Sequence, residues 1–165
     1  MKLDFKPIPT ILLVEDDEDD CIFFQEAMTE VSAGIALKCL NNTGKLMEVI
    51  ESTKPCLIFV DFKLPGENGL EGVRRLKTHP VFNSIPIIMW STSSIVRNVK
   101  AAYEAGVQLY MEKPWSLKVL VEKLKKILKH NRIGLPTISA FISSKAQNTQ
   151  LHHRDRGIGW FFAFG

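Results

Sequence analysis

Short apolar runs in this chain are followed at once by side chains that can do chemistry. Glu15, Asp16 and Asp17 follow Thr10–Val14 (TILLV), and Asp61 follows Cys56–Val60 (CLIFV). Ser91 and Thr92 follow Ile85–Trp90 (IPIIMW), and Glu112, Lys113 and Pro114 follow Val107–Met111. Carboxylates brought together repel, which raises their pKa values unless a cation shares the site. An all-oxygen set with no His or Cys nearby suits a hard cation, Mg²⁺ before Zn²⁺. A lone carboxylate in such a place can also act as a nucleophile and form an aspartyl phosphate. Phosphoryl transfer then asks for charge neutralisation more than for acid–base groups. A metal, the Lys113 ammonium and the Ser91 hydroxyl could supply it. Each residue alone has a plainer reading: an acid after a strand is more often a helix N-cap than a ligand, by roughly three to one. Ser91 alone reads as a cap or turn former, and Lys113 alone as a surface residue. Their combination at four strand ends is what points to chemistry.

The apolar runs are continuous, not alternating, which fits strands buried on both faces of a parallel sheet. Ile35–Leu40 is a weaker run of the same kind. Between the runs lie helical patterns. Phe24, Ala27, Met28 and Val31 recur at helical spacing, as do Ile95, Val99, Ala102 and Tyr103. The clearest face is Leu117, Leu120, Val121, Leu124, Ile127 and Leu128, with Ser116 placed as N-cap and Lys123, Lys125, Lys126 and Lys129 towards the C-terminal end. Helices near 44–52 and 68–78 complete the set, the second weakened by Gly72. The order βαβαβαβαβα predicts an α/β fold with a doubly wound, five-stranded parallel sheet of about 120 residues and right-handed crossovers. Such sheets bind ligands at the carboxyl ends of their strands, so the candidate residues should converge on one edge.

The composition agrees. At 165 residues, 45% apolar and 24% charged, the chain excludes wholesale disorder and collagen-like repetition. No apolar run approaches the roughly 18 residues of a membrane helix, and the N-terminus lacks the layout of a signal peptide. Cys21, Cys39 and Cys56 have no paired spacing, which suits a reducing cytosol. The net charge of +3 resides in residues 130–165, where Arg132, Lys145, Arg154 and Arg156 stand against Asp155 alone. A neutral body with a basic tail is not a basic nucleic-acid domain.

Residues 8–129 resemble the receiver domain of two-component response regulators. The resemblance rests on ILLVEDD (11–17), VDFKLPGENG (60–69), IPIIMWSTS (85–93) and YMEKP (110–114), in the family's order and spacing. It implies the (βα)5 flavodoxin-like receiver fold, Asp61 as phosphoryl acceptor, and Mg²⁺ held by Glu15, Asp16, Asp61 and the Lys63 backbone carbonyl. It implies Ser91 as the switch hydroxyl, Lys113 as the ammonium that pairs with the phosphate, Tyr110 as the switch aromatic, and a cis Lys113–Pro114 peptide. Asp17 extends the acidic run as a further candidate for the metal. Ser stands at position 91 where Thr is commoner. The segment HPVFNSIPII (79–88) resembles single-domain receivers encoded beside phytochrome-type or hybrid histidine kinases.

The expected function is therefore that of a cytoplasmic phosphoacceptor protein, not an enzyme. It is phosphorylated on Asp61 by a histidine kinase or phosphotransfer protein, and it signals through a changed protein-interaction face to an output protein. No direct DNA binding and no membrane contact are expected, and a homodimer is compatible with the sequence. The competing reading is a receiver-fold docking module that works without phosphorylation. A dehalogenase-type phosphatase would need a second Asp where Lys63 stands. Gly66, Gly69 and Gly72 do not have dinucleotide-binding spacing, and acids replace the phosphate loop of a flavodoxin. The tail, 130–165, has no recognisable domain. Pro136 breaks any helix there, His152–His153 lacks a third metal ligand, and Trp160–Phe164 is too apolar for a free tail.

Overall fold

The computed structural model describes residues 8–31 and 34–128. Strands and helices alternate as β1 (Thr10–Val14), α1 (Glu18–Val31), β2 (Ala36–Leu40), α2 (Leu46–Thr53), β3 (Leu57–Asp61), α3 (Gly69–Lys77), β4 (Ile87–Ser91), α4 (Val96–Glu104), β5 (Leu109–Glu112) and α5 (Leu117–Leu128). The strands form one parallel sheet in the order β2-β1-β3-β4-β5. This is the doubly wound five-stranded sheet expected from the alternation of runs.

The continuous runs have a direct cause. Successive residues of a strand point to opposite faces, and here both faces are covered. Ile11 and Leu13, Leu57 and Phe59, and Ile88 and Trp90 meet Phe24 and Met28 of α1 and Leu120 and Leu124 of α5. Their neighbours Leu12 and Val14, Ile58 and Val60, and Ile87 and Met89 meet Ile50 of α2, Val73 of α3 and Ala102 of α4. Each large side chain buried in this way contributes about 1.5–3 kcal/mol relative to exposure. Both layers thus clamp the sheet and hold its carboxyl edge rigid.

The strand limits differ from the apolar runs in a way that matters. β3 takes in Asp61, β4 takes in Ser91 and β5 takes in Glu112. Pro86 has no N–H to give a ladder, so β4 begins only after it. Asp61 is registered with Trp90 and Ser91 with Glu112, so these residues are themselves part of the hydrogen-bonded sheet.

Two helices depart from the periodic reading. Ile95 sits at the N-cap of α4 and is 60% exposed, outside the buried face. Gly72 is buried in α3, and a Cβ there would lie 2.8 Å from Thr43 Cγ2. It therefore lets α3 approach the β2–α2 loop closely, a packing gain that offsets its poor helix propensity. Ser116 caps α5 as expected, its Oγ accepting from the Val119 N–H at 3.4 Å. Asn68 caps α3, its Oδ1 accepting from the Glu71 N–H at 3.0 Å. Asn68→Ala should lower stability by about 1 kcal/mol, read as a fall in the denaturant midpoint. An unchanged midpoint would show that the Glu71 N–H finds another acceptor. The expected domain boundary at Lys129 and the tail features Pro136, His152–His153 and Trp160–Phe164 lie outside the described residues.

Candidate functional site

The carboxyl edge of the sheet gathers the candidate residues. The ladder between β1 and β2 runs one step further, from the Glu15 N–H to the Leu40 carbonyl at 2.9 Å. This step seats Glu15 at the edge, where it is 1% exposed. Asp61, at the end of β3, is also buried, and its Oδ1 accepts from the Lys63 N–H at 3.3 Å. Asp16 is exposed, and one oxygen each from Glu15, Asp16 and Asp61 lie within 4.8 Å of one another.

Lys113 supplies the counter-charge. Its Nζ lies 2.7 Å from Glu15 Oε2, 2.7 Å from Asp20 Oδ2 and 3.3 Å from Asp61 Oδ2. The Lys113 N–H donates to the Ser91 carbonyl at 2.8 Å, which ties the β5–α5 loop to β4. The ammonium also stands 5.8 Å from the centroid of the buried Trp90 ring, a cation–π distance. Phe24 meets Trp90 edge-on at 5.3 Å.

The charges do not balance. Burial raises the Asp61 carboxyl above its usual range, against the opposing pull of Lys113 and of the Lys63 and Phe62 N–H groups. Burial likewise raises Glu15, with the Asp61 charge adding to the rise and Lys113 opposing it. Two buried carboxylates and an exposed one against a shared ammonium leave negative charge in place. The donors are all oxygen, so the set fits a hard divalent cation. Glu15, Asp16 and Asp61 would hold it.

Ser91 is fully buried, and its Oγ accepts from the Ser93 N–H at 3.2 Å. Tyr110 is buried at 8% exposure, and its hydroxyl donates to the Ser93 carbonyl. Burial raises the Tyr110 phenol, partly offset by a hydrogen bond with Ser91. The two residues thus meet at one loop, Ser91–Ser93, at the start of α4.

Two expectations change, and one further residue joins the site. Asp17 is a helix cap: its Oδ1 accepts from the Asp19 N–H at 2.9 Å and the Asp20 N–H at 3.3 Å. The plainer reading of an acid after a strand holds for this residue, and it stands outside the three-carboxylate set. The Lys113–Pro114 peptide is trans, not cis. The intrinsic trans preference of an X–Pro bond, about 0.5–1 kcal/mol, prevails, and Lys113 reaches the acids all the same. Asp20 was not among the candidates. With Asp17 as N-cap it occupies N3, where an acid normally reaches back to the cap's own N–H. Here the Asp17 N–H donates to Glu15 Oε1 at 3.2 Å, and Asp20 turns to Lys113.

A second cluster steadies the loop after Asp61. Glu67 accepts from the Thr43 hydroxyl at 2.5 Å and from Arg75 at 2.7 Å, while Arg75 also donates to the Thr43 carbonyl at 2.9 Å. The Thr43 hydrogen bond, followed by the Arg75 partnership, holds the Glu67 carboxyl below its usual range. The Gly69 N–H closes the loop on the Phe62 carbonyl at 3.1 Å. None of these long-range pairs has a periodic signal in the sequence.

Comparison with known proteins agrees with this geometry. The response regulator receiver domain model matches residues 11–125. The chain is 35% identical over 127 residues to the phosphate regulon transcriptional regulatory protein PhoB of Pseudomonas aeruginosa, covering 76% of this chain and 54% of that protein. It is 30% identical over 128 residues to the response regulator Rcp1 of Synechocystis sp., covering 73% of this chain and 87% of Rcp1. The chain thus spans about half the length of PhoB, and likewise 53% of VanRB of Enterococcus faecalis. Among solved structures it superposes on the Mn²⁺-bound form of Rcp1 with a TM-score of 0.64, at 29% identity over 73% of this chain and 92% of that one. It superposes on the phosphorylated cyanobacterial phytochrome response regulator RcpA with a TM-score of 0.68, at 25% identity over 74% of this chain and 93% of that one. By its family match, its sheet order and the acids and lysine gathered at its carboxyl edge, this chain belongs to the response regulator receiver domain family.

Proposed function

We propose that the chain is a phosphorylation switch whose acceptor is Asp61. The observation that carries this reading is the buried Lys113 ammonium, bonded at once to Glu15 and Asp61, two of the three carboxylates gathered at the edge. The donor is the phosphohistidine of a histidine kinase or phosphotransfer protein. An Asp61 oxygen attacks phosphorus, the N–P bond breaks, and the imidazole leaves with a proton. Mg²⁺ bound by Glu15, Asp16, Asp61 and the Lys63 carbonyl would neutralise charge on the transferring group. Lys113 offers an N–H to the phosphoryl oxygens, and the Ser91 hydroxyl turns towards them.

Asp61 then carries about −1.5 to −2 charge in place of −1. Ser91 leaves the Ser93 N–H to reach the new oxygens, and the Tyr110 hydroxyl loses its place at the same loop. The face formed by α4, β5 and α5 changes, which is a two-state switch biased by charge-assisted hydrogen bonds at the phosphate. An output protein reads that face; the chain itself is a signalling partner in the cytoplasm, not an enzyme with a substrate of its own, and a homodimer is one way to use the face. Among the described residues no helix is long and apolar enough to cross a membrane.

The test is chemical. With Mg²⁺ and acetyl phosphate the chain should gain one phosphoryl group that survives acid and is lost in base, and a chelator should abolish the gain. A base-stable product, or no product with Mg²⁺ present, would overturn the reading.

A further inference from the structure

We propose that Asp20 is a positioning residue for the phosphoryl step: it anchors the Lys113 ammonium so that the remaining N–H faces Asp61. This rests on the reading of Asp61 as acceptor. An ammonium has three donors and no acceptor. In this protein they go to three carboxylates: Glu15 at 2.7 Å, Asp20 at 2.7 Å and Asp61 at 3.3 Å. The two short bonds are anchors, and the long one points the third donor at the reacting group. A lysine side chain has about 1.5–2 kcal/mol of rotamer freedom to lose on ordering, so the quality of its anchors decides how well that donor is aimed.

The two anchors are not equivalent. Glu15 belongs to the three-carboxylate set, whereas Asp20 stands outside it. Once the charge of Glu15 is engaged by a divalent cation, its pull on Lys113 weakens, and Asp20 keeps its full charge. Asp20 is itself well placed for this. It is fixed in the first turn of α1 by the Asp17 cap, and its side chain is released from capping because Glu15 Oε1 takes the Asp17 N–H. The Lys113 side chain is 9% exposed and that of Asp20 34%, so Asp20 reaches a buried ammonium from the rim. Burial alone would lower the Lys113 ammonium; hydrogen bonds to Asp20 and Glu15 and the Asp61 charge more than reverse that.

The test is a double-mutant cycle on the full chain. Beryllofluoride with Mg²⁺ is the probe, followed by fluorescence or calorimetry, with acetyl phosphate labelling in parallel. Asp20→Ala should weaken beryllofluoride binding about 5- to 10-fold, within the usual range of coupled neighbours, with Mg²⁺ affinity within about 2-fold. In a Lys113→Ala background the same change should cost less than about 2-fold. Acetic anhydride should label the Lys113 amine several-fold faster in Asp20→Ala than in wild type, with no phosphodonor present. Asp20→Asn, which keeps an acceptor oxygen and the helix start, should fall between the two. An equal loss in both backgrounds would mean that Asp20 acts without Lys113 and overturns the inference, as would unchanged beryllofluoride affinity. Failure of the acceptor reading looks different: wild type then binds no beryllofluoride, and the inference falls with it.

Discussion

Asp61→Asn should take up no phosphoryl group from acetyl phosphate and should be more stable than wild type at neutral pH in the absence of divalent cations. The first effect is total because an amide oxygen is not a nucleophile of this kind, and Glu15, the other buried carboxylate among the described residues, is only 1% exposed and so closed to a donor. The second follows from the raised Asp61 carboxyl, whose main cause is burial. A carboxyl whose folded value lies above its ordinary 3.8 binds its proton more tightly in the folded state. Its stabilising contribution is full below that ordinary value and is lost as pH rises through the folded value. At neutral pH the folded chain therefore carries the cost of an ionised, buried Asp61, which the Asn variant does not. The two proteins should have similar denaturant midpoints in acid and diverge as pH rises, with Asn the more stable. Subtracting one curve from the other removes the carboxylates remote from the site, while Glu15, whose rise the Asp61 charge adds to, changes in the same direction. A midpoint for Asn below that of wild type at neutral pH, or labelling of Asn to the wild-type level, would contradict the account.

Gly69→Ala should be more damaging than the same change at Gly44, Gly66, Gly72 or Gly106. A Cβ at this position would lie 1.8 Å from the Asp61 carbonyl oxygen, 2.9 Å from its carbonyl carbon and 2.8 Å from Val60 Cγ1. The first two are backbone atoms of β3, which is held by ladders to β1 and β4. They cannot yield as a flexible side chain would. The start of α3 would have to move instead, breaking the Gly69 N–H bond to the Phe62 carbonyl and pulling on the loop that carries Lys63. Overpacking usually costs about 1–3 kcal/mol; overlap with sheet backbone should exceed about 3 kcal/mol, the range reserved for named structural faults. Urea unfolding measures it, and Mg²⁺ titration of whatever remains folded should show weakened binding. A wild-type midpoint would mean that α3 begins with more room than this structure gives it.

The sheet was legible because burial on both faces writes itself into a sequence as uninterrupted apolar residues: Ile11–Val14, Leu57–Val60 and Ile87–Trp90 are all buried. The edge residues were legible because parallel topology puts every strand end on one side. What periodicity cannot report is a pair joined through space. Lys113 and Asp20 are 93 positions apart, and Asp20 reads locally as an ordinary first-turn acid that complements the helix dipole. Thr43, Glu67 and Arg75 are joined through space in the same way. Ile95 misled because an apolar residue at helical spacing carries no mark of whether it lies inside the first turn or caps it. Gly72 reads as a weakness until its neighbour across the loop is known.

Neighbouring strands of a sheet lie about 4.7–4.9 Å apart. β1 and β3 are neighbours, with Val14 opposite Val60, and Glu15 and Asp61 are the next residue on each. One oxygen each from Glu15, Asp16 and Asp61 lie within 4.8 Å of one another. The backbone thus starts the Glu15 and Asp61 side chains one sheet repeat apart, a spacing that any parallel sheet supplies and from which their oxygens can converge. Changing which apolar side chains fill the two layers leaves that gauge intact so long as the strands keep their register. A slip of a single residue between β1 and β3 would add a stagger of about 3.3 Å between Glu15 and Asp61, and the ruler would no longer measure a cation.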